Sequence, residues 1–234
     1  MTATYRLASR LPRVGTTIFT VMSKLAADVG AINLSQGFPD FDCDPALVEA
    51  VAAHMRGGRN QYAPMQGVPA LRQAIAAKYR HFHDRRYDPD TEVTVTSGGT
   101  EAIFDAVTCV AGPGDEVIVL EPCYDCYVPA VELSGATPVV VPLGLPDYAV
   151  DWDAVAAAVT PRTRVIVVNT PHNPSGAILS RADVERLGAL VRGTDILIVS
   201  DEVYEHLIFD GAQHESMARH PDLAERSFII GSFG

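Results

Sequence analysis

Several stretches of this chain set polar or aromatic side chains directly behind apolar runs. Ser97-Gly98-Gly99-Thr100 follows EVTVT, and Pro122-Cys123-Tyr124 follows VIVLE. Asn169-Thr170-Pro171-His172-Asn173 follows VIVV, Asp201-Glu202-Val203-Tyr204 follows ILIVS, and Ser232-Phe233-Gly234 follows SFIIG. The glycines of the first stretch let backbone N–H groups approach an anion where a helix begins, which suits a phosphate; a plain tight turn is the other reading. The stretch is neither a P-loop nor a G-x-G-x-x-G fingerprint. Asp201 behind four apolar residues is a carboxylate at the mouth of a buried sheet, costly unless paired. A protonated pyridine nitrogen would pair it and keep that ring electron-withdrawing. A helix cap or an ion pair with arginine accounts for it equally well. Tyr204 and Asn173 could both donate to an oxygen on the same ring, although Asn-Pro turns also serve structure alone. Tyr124 could stack on a planar ring or simply join the core. Taken together, these groups describe one ligand with a phosphate, an aromatic face, an oxygen acceptor and a basic ring nitrogen.

The elements that must position them alternate. Strands are expected at Glu92–Thr96, Val117–Leu120, Thr137–Val141, Arg164–Asn169, Ile196–Ser200 and Ser227–Ile230. Helices are expected between them at Thr100–Val110, Tyr124–Leu133, Asp151–Val159 and Ser180–Arg192, the last two capped by Asp151 and Ser180. The runs VIVL, VIVV and ILIV are continuously apolar, as strands buried on both faces require. The pattern predicts an α/β fold with a doubly wound, mostly parallel sheet flanked by helices, whose ligands bind beyond the carboxyl ends of the strands. Ahead of it, helices are expected at Thr16–Val29, Pro45–Met55 and Pro69–Phe82, after an irregular start.

Composition narrows the function classes. The chain has 234 residues, 47% of them hydrophobic, and a net charge of -11, which disfavours nucleic acid and anionic membranes as partners. No apolar run is long enough to span a bilayer. The start, MTATYRLASRLPR, lacks the apolar stretch of a secretory signal, so a cytoplasmic protein is expected. Cys123 and Cys126 form a C-x-x-C without a second ligand pair, so they read as small side chains at a loop–helix junction rather than as a metal site. His81, His83 and Asp84 read as a solvated cluster at a helix end, and no metal is expected.

The chain resembles the fold-type I, class I/II aminotransferases that use pyridoxal 5'-phosphate (PLP), in particular the methionine and kynurenine aminotransferase group. The matching stretches are INLSQGFPDF, NQYAPMQGVPALRQAIA, VTSGGTEAI, GDEVIVLEPCYDCYVPA, VVNTPHNPSGAIL, VSDEVYEHLIF and IIGSFG, in family order over almost the whole chain. The resemblance implies a PLP-binding large domain at 36–234. Residues 1–35 would contribute to a smaller domain and to the substrate pocket.

It also implies roles. Asp201 would pair with the pyridine nitrogen, and Tyr204 and Asn173 would bond the ring oxygen. Tyr124 would stack on the ring, and Gly98, Gly99, Thr100 and Ser232 would surround the phosphate. Gly37 and Asn169, with Asn173 beside them, would hold the substrate, while Phe19, Ile18 and Phe38 would favour an apolar side chain such as that of methionine or an aromatic amino acid. Tyr62 would reach the cofactor of a partner subunit, which implies a homodimer.

The implied reaction moves an amino group from such an amino acid to a 2-oxo acid. A carbon–sulfur lyase would share nearly all these residues, and a non-catalytic PLP-fold fragment is the reading from another class. Two positions depart from the family. His172 stands where many relatives have asparagine. In the family a Schiff-base lysine follows three residues after the serine at 232; here that lysine is expected immediately after Gly234. The two lysines of the sequence, Lys24 and Lys78, lie in predicted helices away from every matching motif.

Overall fold

The computed structural model describes residues 8–12, 14–37, 39 and 41–233. Phe38 and Gly234, and much of the expected irregular start, lie outside the described residues. The chain divides into two compact units, one up to Met65 and one from Gln66 onward. In the first, α1 (Ile18–Val29) starts behind Thr17, whose hydroxyl accepts the Thr20 N–H, and ends at Gly30 with φ 65°, a left-handed turn that favours glycine. The second helix, α2 (Pro45–Arg56), starts behind Asp44, which caps Ala46 N–H at 2.8 Å.

In the second unit α3 (Pro69–His83) and α4 (Gly99–Val110) precede the sheet. Then follow β1 (Glu116–Glu121), α5 (Tyr127–Ser134), β2 (Thr137–Pro142), α6 (Trp152–Ala158), β3 (Thr163–Asn169), α7 (Arg181–Val191) and β4 (Leu197–Asp201). A single 3-10 turn (Met217–Arg219) and α8 (Pro221–Ala224) lead to β5 (Ser227–Ile230). The strands run in the order β2-β1-β3-β4-β5, every pair parallel, which is the α/β architecture expected.

Alternation along each strand builds two cores. Ile118, Ile166 and Ile198 face α6 and α7, with Trp152, Leu187 and Met217. Val117, Val119, Val165, Val167 and Val199 face the other way, against Ile103, Val107 and Val131 of α4 and α5. This two-sided burial is why the runs had to be continuously apolar. The chain leaves β1 outward to β2 and returns past it to β3, so the connections diverge beyond the ends of β1 and β3 and open a crevice there.

Two elements differ from expectation by more than a residue or two. Glu92–Thr96 joins no ladder: Val93 is buried, and Val95 N–H donates to Gln66 O at 3.0 Å, ahead of α3. Its alternating residues fit a strand, but alternation alone does not provide a neighbour. The helix expected from Tyr124 starts at Tyr127 because of Pro129. An earlier start would place this proline, which has no N–H, inside the helix rather than in its first turn.

Candidate active site

At the carboxyl ends of β3 and β4, Asn169, Asn173 and Asp201 lie together, and Tyr124 follows β1. Register sets Asn169 beside Asp201. The Asn169 side chain donates to Asp201 O at 2.9 Å and accepts Asn173 N–H at 2.7 Å, so one amide ties β4 to the Asn173 loop. Tyr124 is half-buried, and its hydroxyl lies 3.4 Å from Thr100 Oγ1 at the start of α4. That helix begins at Gly98, whose φ of 89° favours glycine. A β-carbon on Gly99 would lie 3.3 Å from Val203 Cγ1, so glycine here lets α4 approach the β4 loop.

Asp201 is only 3% exposed. One oxygen accepts the Tyr127 hydroxyl at 2.5 Å; the other takes only a long 3.3 Å bond from Val203 N–H. Burial pushes its pKa up, the two hydrogen bonds oppose this, and the charge of Glu202 adds to the rise. Burial and the Asp201 charge also hold the Tyr127 phenol neutral, so it is the donor. Sequence reasoning missed Tyr127. The available signal was its position three residues after Tyr124, across the turn that opens α5. Tyr127→Phe is expected to raise the Asp201 pKa further and to cost roughly 1.5–3 kcal/mol, the usual worth of a hydrogen bond to a charged group. Urea unfolding of the full-length protein measures this, and an unchanged midpoint would contradict it.

His172 has a structural task. Its Nε2 lies 2.8 Å from Pro122 O and its Nδ1 2.6 Å from Ser175 Oγ, so the ring donates to the carbonyl and accepts from the hydroxyl. Burial lowers its pKa, with the Pro122 bond opposing, and the neutral ring joins the loops after β1 and β3 across the crevice. Tyr127, Asn169 and His172 line a cavity of about 140 Å³ there, with Leu143, Tyr148 and Leu179.

Tyr204 is half-buried, three residues beyond Asp201, and Ser232 is exposed just past β5. Ile18, Phe19, Gly37 and Tyr62 belong to the first unit, where Tyr62 is fully exposed and Phe19 half-buried. All four cysteines are free, and burial pushes Cys123 up to about 11 and Cys126 up to about 12, so neither is a ready thiolate. Among the described residues no cluster could hold a metal ion, and no helix is long and apolar enough to cross a membrane.

A buried polar network lies behind Asp201. Glu202 is 1% exposed and accepts from Ser200 Oγ at 2.9 Å, Met217 N–H at 3.0 Å and His214 Nε2 at 2.9 Å. Glu205 meets Lys78 Nζ at 2.5 Å and His83 Nε2 at 3.1 Å. His83 is therefore buried and paired, not part of a solvated cluster; the turn at Asp84, with φ 51°, leaves His83 on the inner side of α3.

Burial works to raise the Glu205 pKa, but hydrogen bonds from His83 and Lys78, with the Lys78 charge, outweigh it and hold the carboxyl down to about 2. A depressed carboxyl pKa stabilises the fold above its unfolded value near 4.5, and the contribution is lost as pH falls from there toward 2. Lys78→Met should therefore lower stability near neutral pH, and its deficit against the unmodified protein should shrink below pH 4.5. Urea titrations at several pH values check this; a deficit independent of pH would count against it.

Comparison with known proteins places this arrangement. The sequence profile of the family described as aminotransferase class I and II matches residues 29–234. A methionine aminotransferase of Escherichia coli is 49% identical over 97% of this chain and 58% of its own length. Kynurenine–oxoglutarate transaminase 3 of Rattus norvegicus is 35% identical over 100% of this chain and 54% of its own. The solved structure of N-succinyldiaminopimelate aminotransferase from Mycobacterium tuberculosis superposes with a TM-score of 0.92 at 46% identity, over 97% of this chain and 60% of that one. The chain thus spans less than two thirds of the length of these relatives.

Proposed function

Because the chain belongs to the class I and II aminotransferase family, we propose that it is the cofactor-binding part of a PLP-dependent enzyme that transfers an amino group from an apolar L-amino acid, methionine or an aromatic one, to a 2-oxo acid. The observation that carries this reading is the buried carboxylate of Asp201, with one oxygen held by Tyr127 and the other weakly bonded at the carboxyl end of β4. A cationic ring N–H is the partner such an oxygen suits, so the residues fit the cofactor. PLP bound there would act as an electron sink when the substrate α-proton leaves.

The chain's own residues then have distinct tasks. Asp201 keeps the ring nitrogen protonated. Tyr124 covers the ring face, and Tyr204 and Asn173 donate to the ring oxygen. Gly98, Gly99, Thr100 and Ser232 hold the phosphate at the start of α4, where backbone N–H groups favour an anion. One Asn169 amide hydrogen is committed to Asp201 O; the second is available, with Gly37, for the substrate carboxylate. Ile18 and Phe19 line the side-chain pocket, as part of a smaller domain to which residues 1–35 contribute, the larger domain being 36–234.

Full-length protein supplied with L-methionine or an aromatic amino acid and a 2-oxo acid should form the matching new amino acid. Release of pyruvate and ammonia without an acceptor would favour the lyase, and the relative named for N-succinyldiaminopimelate makes that polycarboxylate the control donor to include. The same reading takes the enzyme to be cytoplasmic, as its free cysteines suit a reducing compartment. It also takes it to be a homodimer in which Tyr62 meets the partner's cofactor phosphate. Sedimentation should find a dimer, and a stable, active monomer would rule that contact out.

A further inference from the structure

We propose that Lys78, His83 and Glu205 form a clamp by which α3 positions Tyr204. The clamp fixes the Asp201–Glu205 turn and so holds the Tyr204 hydroxyl at the cofactor's ring oxygen. This rests on the reading of Tyr204 given above.

Among the described residues the Tyr204 hydroxyl has no hydrogen-bond partner, so its aim is set through the backbone of its turn. That turn is anchored at both ends. Glu202 N–H donates to Ile230 O of β5 at 2.9 Å, and the Glu202 carboxylate is held by Ser200, Met217 and His214. Glu205 N–H closes the turn on Glu202 O at 3.0 Å, and Leu207 N–H donates to Tyr204 O at 2.8 Å. Beyond Tyr204, the Glu205 side chain is 5% exposed and passes its two oxygens to Lys78 and His83, both on α3.

The histidine is itself held from behind. Its Nδ1 accepts Arg219 Nε at 3.3 Å, which leaves Nε2–H to face Glu205, and its ring packs against Tyr79 and His214 at centroid distances of 5.4 and 6.3 Å. Arg219 also donates to Phe82 O at 3.2 Å, so the cluster is tied to the last turn of α3. A buried ion pair is a poor source of net stability, because desolvation offsets its attraction, whereas its directed bonds define one geometry. Here the geometry defined is that of Val203 and Tyr204, the two residues between the anchored carboxylates. This gives Lys78, which no family motif uses, a positioning role through Glu205.

The test is the pH midpoint of the visible absorption of the full-length, cofactor-loaded protein. Tyr204→Phe should raise the midpoint by about one pH unit, since a donor to the deprotonated oxygen is lost. Glu205→Gln and Lys78→Met should each raise it in the same direction by roughly half a unit or more, and neither should add to Tyr204→Phe in the double variant. Lys78→Arg should restore most of the shift. Should Glu205→Gln fail to fold, Lys78→Met still decides, because Lys78 sits at the partly exposed end of the cluster. A midpoint that moves with Tyr204→Phe but not with the clamp variants, or moves additively, overturns the clamp and leaves the Tyr204 reading standing. A midpoint unmoved by Tyr204→Phe overturns that reading, and the clamp with it.

Discussion

Asp201→Ala is expected to lower the amino-transfer rate of the full-length protein by roughly three orders of magnitude, as loss of a preorganised charge partner in a dry site does. The carboxylate sits at 3% exposure with its desolvation only partly offset, a state in which it gains most from a cationic partner. Alanine leaves a ring nitrogen with no counter-charge, and the electron sink weakens with it. The fold should survive, because Asp201 is held by its backbone in the β4 ladder and the side chain gives up only the bonds from Tyr127 and Val203. Asp201→Asn separates shape from charge and should be nearly as slow. Steady-state kinetics with circular dichroism of the same sample make the check, and near-normal turnover in either variant would remove Asp201 from its assigned role.

Glu202→Ala acts on stability. Three donors converge on this carboxylate, from Ser200, Met217 and His214, and all lie in a region closed to water. Alanine would leave each of them without its acceptor and open a void between β4 and the 3-10 turn. The expected loss is about 3–5 kcal/mol, the range for breaking a buried, hydrogen-bonded charge. Glu202→Gln keeps the shape and two of the three bonds, so it should lose less than half as much. Urea unfolding of both variants in the full-length protein measures this. Equal losses would mean that the charge of Glu202 and its bond to His214, rather than packing or the other two donors, govern the position.

The continuous runs VIVL, VIVV and ILIV, short and separated by helical stretches, determined a parallel sheet covered on both faces, because strands of that kind must be kept from water on either side. Capping residues set helix starts within a residue or two: Asp151 and Ser180 sit at the N-caps of α6 and α7, where their short side chains satisfy orphan N–H groups. Because a parallel α/β sheet binds ligands at its carboxyl end, the residues behind each strand could be named from spacing alone. Asp201, Asn169 and Asn173 are brought together there. The failures share a cause. Glu92–Thr96 alternates like a strand, but pairing needs a neighbour that no local pattern supplies. Tyr127 on Asp201 and His83 on Glu205 are contacts between residues 74 and 122 apart in the chain, and only the packing of α5 on the sheet and of α3 beside the 3-10 turn and the loop after β4 decides them. Local preferences act over a few residues, so sequence determined which elements form and where the site opens. Which side chains support the buried Asp201 carboxylate was decided by which helices the tertiary structure laid against it.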